Sequence, residues 1–218
     1  MALNAVQNAT TQPQRRFTGP LLKPRRGGSE NTGMSSGSST QRVKGVVLEA
    51  MQQQLVGMKA DGTIRLADDD LPDVMTEKVD PAAWYDLPLA QEWLRQARAV
   101  IGPMGIADLG ERCARSVADM GLHHQFKVAV EEQGFGLASR LVLTFGQVAM
   151  PDVEWNYLEI SESGFVLETA GIESWSMDVC EFTGGFVRLL GGLLYPGPVR
   201  VTSKRTSPAR VLYTLELA

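Results

Sequence analysis

Residues 155–169 read WNYLEISESGFVLET, and here the apolar period of the 218-residue chain changes from helical to alternating. Two runs rich in aromatic and β-branched residues, Trp155–Ile160 and Phe165–Thr169, flank the turn triplet Glu162-Ser163-Gly164. That pattern predicts a β-hairpin. Downstream, Trp175, Val179, Phe182, Phe186, Leu189, Leu190 and Leu193 step by three or four residues, which predicts a long helix. VRVTS (199–203) and ARVLYTLEL (209–217) then read as two strands across a turn holding Ser207-Pro208. Gly184, Gly185, Gly191 and Gly192 weaken the helix by about 1 kcal/mol each where they lie inside it. The compensation expected is close backbone approach to whatever that helix covers.

Upstream of the hairpin the pattern is helical throughout. Val43, Val47, Met51 and Leu55, with Val46 and Ala50 on the same side, predict a helix that ends before the acidic loop DGTIRLADDDLPD (61–73). Asp80-Pro81 and Leu87-Pro88 both read as helix starts, because proline suits the first helical turn. Leu89, Trp93, Leu94, Ala97 and Val100 form one stripe. Ile106, Leu109, Cys113, Val117 and Met120 form the cleanest one. Shorter helical patterns follow at Phe126 to Val130 and Leu137 to Phe145. The order helices, hairpin, helix, hairpin predicts an α+β domain, with a helical layer packed on an antiparallel sheet of about four strands.

Charge divides the chain differently. Residues 1–41 carry Arg15, Arg16, Lys23, Arg25 and Arg26 against Glu30, a balance of +4, which leaves -8 on the rest of a chain whose net charge is -4. In GGSENTGMSSGSST (27–40), eleven of fourteen residues are Gly, Ser or Thr, too few apolar groups to offset backbone entropy on folding. Residues 1–41 are therefore expected to be a disordered basic tail and linker, and 42–218 a single domain. Within the tail, Arg15, Arg16, Phe17, Leu21, Leu22, Lys23, Arg25 and Arg26 make a candidate linear docking motif, for a protein partner or weakly for an anionic surface. The acidic body argues against nucleic acid. Two cysteines outside any CxxC pair, no secretory signal and no bilayer-length apolar run point to a cytoplasmic protein.

Motifs that carry chemistry are scarce. There is no phosphate-binding GxxxxGK[ST] and no GxSxG. Gly134-Phe135-Gly136 is followed by Ser139 where a dinucleotide fingerprint needs glycine. His123 and His124 are adjacent, so on a helix they point about 100° apart and do not converge on one metal. Cys113 lies on an apolar stripe, and Cys180 neighbours Asp178 and Glu181, which disfavour a thiolate. Asp61, Asp68, Asp69, Asp70 and Asp73 lack the alternate spacing of a calcium loop and read as a solvated acidic segment. No metal site and no catalytic residue is expected.

From Val43 onward the order of pieces resembles the myxobacterial paralogous family of the haem-NO-binding and TRAPP-like ligand-binding superfamily. The resemblance rests on VKGVVLEAMQQQL, VDPAAWYDLPLAQEWLRQARAVIG, IADLGERCARSVADMG and DVCEFTGGFVRLLGGL. Its most telling residues are Trp84-Tyr85 before a helix, Gly110, and Cys180 through Gly184. It implies a haem-NO-binding-like or TRAPP-like α+β fold, often dimeric, in proteins that bind small hydrophobic ligands, haem or acyl chains, or that act as scaffolding subunits. Relatives that sense aromatic compounds hold zinc through an acid and two cysteines in the closing hairpin. The matching stretch here, VRVTSKRTSPARVLY, has neither, with Ser203 and Val211 near the cysteine positions, so zinc is not carried over. Haem lacks a counterpart to its proximal histidine, for which His123 and His124 are the only candidates, and no cofactor is expected.

Together these readings predict a non-enzymatic interaction or scaffolding module, with protein partners, a candidate homodimer and a docking tail. The alternative is a signalling sensor for a small hydrophobic ligand (lipid, haem or aromatic). Its pocket would be lined by Trp93, Trp175, Phe182 and Phe186. An enzyme using Cys113 or a histidine is the third reading.

Overall fold

The structure is a computed structural model that describes residues 41–103, 105–119, 135–195 and 197–218. The N-terminal residues 1–40, Met120 and the Phe126 to Val130 pattern lie outside the described residues. Among those described, β1 (Arg42–Lys44) leads into α1 (Gly45–Ala60), followed by the short α2 (Asp73–Thr76). Next come β2 (Trp84–Asp86), α3 (Leu87–Ile101), α4 (Gly105–Val117) and α5 (Phe135–Ala149). The hairpin β3 (Glu154–Ser161) and β4 (Gly164–Ala170) precedes α6 (Met177–Leu194), and β5 (Val199–Ser207) and β6 (Arg210–Leu217) close the chain.

The four long strands form one antiparallel sheet in the order β3-β4-β6-β5. The expected fold class, α+β with helices on a four-stranded antiparallel sheet, is the observed one. Alternation decides the faces. Trp155, Phe165, Leu167, Val211, Tyr213 and Leu215 are buried on one side. Glu168 meets Arg210 at 3.3 Å on the other. β3 and β5 are the edges, and β3 slips register between Tyr157 and Glu159, leaving Leu158 as a bulge.

Helix α6 lies between the sheet and the other helices. It is buried on nearly every side, from Val179 to Leu194, as expected of a helix with apolar residues all round. Its start is capped by Ser176, whose hydroxyl accepts from the Val179 amide at 3.4 Å. The expected close approach occurs at two of its four glycines. A Cβ on Gly185 would stand 2.0 Å from the Ala107 carbonyl of α4, and one on Gly191 would stand 1.8 Å from Leu215 Cδ1 of the sheet. α4 reciprocates, since a Cβ on Gly110 would lie 2.1 Å from the Phe182 carbonyl. Gly184 and Gly192 have ordinary clearance of 3.7 and 3.8 Å.

Two local expectations are corrected. Val43 is not helical but pairs with Tyr85 in a two-stranded ribbon, β1 with β2, and α1 begins only at Gly45. Pairing with Trp84–Asp86 overrides the four-residue spacing that Val43 shares with Val47. Asp80-Pro81 starts a turn, closed by the Ala83 amide donating to the Asp80 carbonyl at 3.1 Å, and the chain then extends into β2. Leu87-Pro88 does open a helix, with Pro88 in the first turn of α3.

Candidate functional site

The inner sheet face and the facing sides of α5 and α6 do not fill the space between them completely. An apolar cavity of about 30 Å³ remains, bounded by Val142, Phe145, Gly146 and Ala149 of α5, Trp155 and Leu167 of the sheet, and Phe182, Thr183, Phe186, Val187 and Leu190 of α6. Val47 and Met150 complete its wall. A smaller void of about 10 Å³ lies toward α1 and α3 and shares Val47, Met150 and Phe182 with the first. These three residues line both spaces, and the unbranched thioether of Met150 is a yielding wall material.

The α5 wall is built by a glycine. A Cβ on Gly146 would lie 2.6 Å from Trp155 Cδ2, so only glycine lets the indole seat against the helix. Two residues along β3, the Tyr157 hydroxyl donates to the Ser139 carbonyl at 3.1 Å and ties strand to helix. Burial raises the Tyr157 phenol above its ordinary range, so it remains a donor at neutral pH. Phe165 meets Tyr157 edge to face at 5.2 Å between ring centres, while Phe186 sits 5.2 Å from Phe182 and 5.8 Å from Phe145. Trp155 is 9% exposed, and its indole nitrogen has no hydrogen-bond partner among the described residues.

Of the four residues expected to line a pocket, Phe182 and Phe186 border this cavity. Trp93, on α3, and Trp175, just before α6, are buried in the core and lie outside its lining. Trp155, Gly146 and Met150 were not singled out by the sequence. The alternation that predicts the hairpin puts Trp155 on the inner face, but alternation carries no information about what opposes it. The expected docking residues Arg15, Arg16, Phe17, Leu21, Leu22, Lys23, Arg25 and Arg26, and His123 and His124, lie outside the described residues.

The cysteines are not positioned for chemistry. Burial pushes the Cys113 thiol well above its ordinary value. It also raises that of Cys180, where burial outweighs the nearby Glu181, and Arg205 opposes both. Among the described residues no group of three or more His, Cys, Asp or Glu is arranged to hold a metal ion, and no helix is long and apolar enough to cross a membrane.

No family model matches the chain, and no curated protein does. Among solved structures, an alanine-to-glycine mutant of the Fe(II) unliganded H-NOX protein from K. algicida is 13% identical and superposes with a TM-score of 0.51, over 79% of this chain and 95% of its own. The fold is H-NOX-like. The Fe(II) unliganded H-NOX protein without that mutation is 12% identical, with a TM-score of 0.48 over the same shares of both chains. At this identity the likeness concerns the fold alone, and it agrees with the haem-NO-binding-like fold that the sequence resemblance implies.

An H-NOX-like fold raises the question of haem, and the described lining of this cavity offers it no ligand. Among the described residues, which include neither His123 nor His124, no imidazole, thiol or phenol borders it to ligate iron, and the one soft donor is the Met150 thioether. No cation among the described residues borders it to meet the propionates, and about 30 Å³ is far below what a macrocycle occupies.

Proposed function

We propose that this domain is a non-enzymatic sensor that takes a small apolar ligand between α5, α6 and the inner face of the sheet. The observation that carries this is the cavity itself: a void walled by aromatic and aliphatic side chains, with a smaller void beside it that shares the flexible Met150 wall. The H-NOX-like fold supports ligand sensing over scaffolding. The scaffolding reading rests on the scarcity of catalytic motifs and on the basic tail, of which the described residues include only Gln41. The order of elements from Val43 onward further supports placing the chain in the myxobacterial branch of the superfamily. Buried, protonated thiols support a role without nucleophilic chemistry. We propose a cytoplasmic setting on the same grounds as before, the want of a disulfide framework.

Native mass spectrometry and absorbance spectroscopy of the full chain purified from its host test the reading. A co-purifying apolar mass, or saturable stabilisation of the ligand-free chain by xenon or cyclopentane, is the expected result. A bare mass with no stabilisation by either probe sinks the sensor. A Soret band would reverse the conclusion about haem.

A further inference from the structure

The sheet face turned away from α5 and α6 is divided by charge. Register puts Glu154 and Glu159 of β3 and Glu168 of β4 on one half of that face, and Arg210 of β6 with Lys204 and Arg200 of β5 on the other. Glu216 of β6 is the one departure from this division. Glu168 and Arg210 meet at the centre, at 3.3 Å. Glu154, Glu159, Lys204 and Arg200 are exposed and make no ion pair among the described residues. With neighbouring strands about 4.8 Å apart, the acidic edge lies about 14 Å from the basic one, too far for a salt bridge within one sheet. Val166 and Leu212 lie half-buried between them, and among the described residues no element packs on this face.

The geometry points to an interface with a second copy of this chain, sheet face to sheet face, about a two-fold axis that lies between the sheets and close to the strand direction. That operation carries β3 of one copy over β5 of the other, and β4 over β6. A face acidic at one edge and basic at the other complements itself under this axis, and both edges are used at once. Glu159 shares a cross-strand row with Val166, Thr214 and Thr202. Over the second copy it therefore stands at the level of Thr202, flanked by Lys204 and Arg200. Aligned sheets pack about 10 Å apart, a gap that a Glu and a Lys or Arg side chain close from opposite sides. An axis across the strands would instead stack β3 on β3 and oppose like charges. Two four-stranded faces about seven residues long bury on the order of 1,000 Å² together, the lower limit of specific interfaces, which makes the dimer weak and reversible. It does not depend on what the cavity holds.

Sedimentation velocity of the full chain should show a monomer–dimer equilibrium that weakens as salt rises, because the contacts are between exposed charges. Glu159→Lys and Lys204→Glu each set like charges together twice, by symmetry, and should raise the dimer Kd by roughly 10-fold. The double variant Glu159→Lys/Lys204→Glu restores opposite signs and should associate more tightly than either single variant. Zero-length carbodiimide crosslinking of isotopically mixed native chains needs no variant, and should join Lys204 of one copy to Glu159 of another. A chain that stays monomeric at about 0.5 mM overturns the interface. So does a dimer that neither reversal weakens, or one that yields no such crosslink, because its copies then meet on another face. Single variants that weaken a dimer the double variant does not restore overturn the pairing of β3 with β5.

Discussion

Helix α6 has two unlike seams. Toward α4 the backbones touch: Gly110 and Gly185 bring each helix against the other's carbonyls, and Arg188 spans the contact to Asp108 and Glu111, at 2.6 Å each. Arg98 of α3 similarly bridges Asp178 and Glu181, at 2.6 and 2.5 Å. Toward α5 and the β3–β4 part of the sheet, Phe182, Phe186 and Trp155 leave a void, although Gly191 still meets Leu215 of β6 closely. Small residues give a closed seam that fixes position. Large flat residues of fixed shape give an open one, because rings tile a curved interface poorly. One helix therefore has a rigid side and a compliant side, and the proposed ligand site lies on the second.

Adding a single carbon to each seam is the sharpest way to break this comparison. Gly185→Ala inserts a methyl between the Ala107 carbonyl and the Glu111 amide, both backbone, so the helices must separate. A loss of about 3 kcal/mol or more in urea unfolding is expected. Val142→Ile adds the same carbon to the open seam, where it enters the cavity. It should stabilise the fold by about 0.8 kcal/mol and weaken the binding of xenon and cyclopentane. If both substitutions cost the same, the seams do not differ.

Alkaline titration probes the buried groups on both seams together. Burial holds the Tyr213 and Tyr157 phenols above their ordinary 10.0 and the Cys113 thiol above its ordinary 9.0. Above those values the unfolded chain releases protons that the folded chain keeps. Their contribution is thus complete below pH 9.0 and falls as pH rises. The urea midpoint should be flat from about pH 7 to 8.5 and drop steeply by about pH 10.5.

Smaller effects come from the rim of the closed seam. Arg188→Ala should cost up to about 1 kcal/mol, less at high salt, since the guanidinium is a third exposed. Gly184→Ala, one residue from Gly185 but with 3.7 Å of clearance, should be neutral or add up to about 1 kcal/mol from helix propensity. A Gly184→Ala cost matching that of Gly185→Ala would mean that the glycines lower stability for some reason other than close approach.

The sequence made much of this architecture legible. The switch of period at Trp155 marks the hairpin, and the stripes at Ile106 and Phe182 mark α4 and α6. The glycines of α6 announce close packing, although their spacing does not tell Gly185 from Gly184. Which of the two meets a backbone depends on how α6 is rotated against α4. Val43 reads as helical in the sequence because one residue of a three-residue strand can share the phase of the helix after it. The cavity was half legible. Phe182 and Phe186 follow from the stripe, but a void is a property of two opposed surfaces, and Trp155 and Gly146 acquire their roles only from each other.

The position of Trp155 on an edge strand has a mechanical consequence. β3 is bonded to the sheet along one side only, through β4, and the Leu158 bulge already interrupts that ladder. Displacing the cavity wall outward therefore breaks half the hydrogen bonds that moving an interior strand would break. A swelling occupant would meet least resistance along β3, and the Tyr157 bond to Ser139 would carry that strain directly into α5.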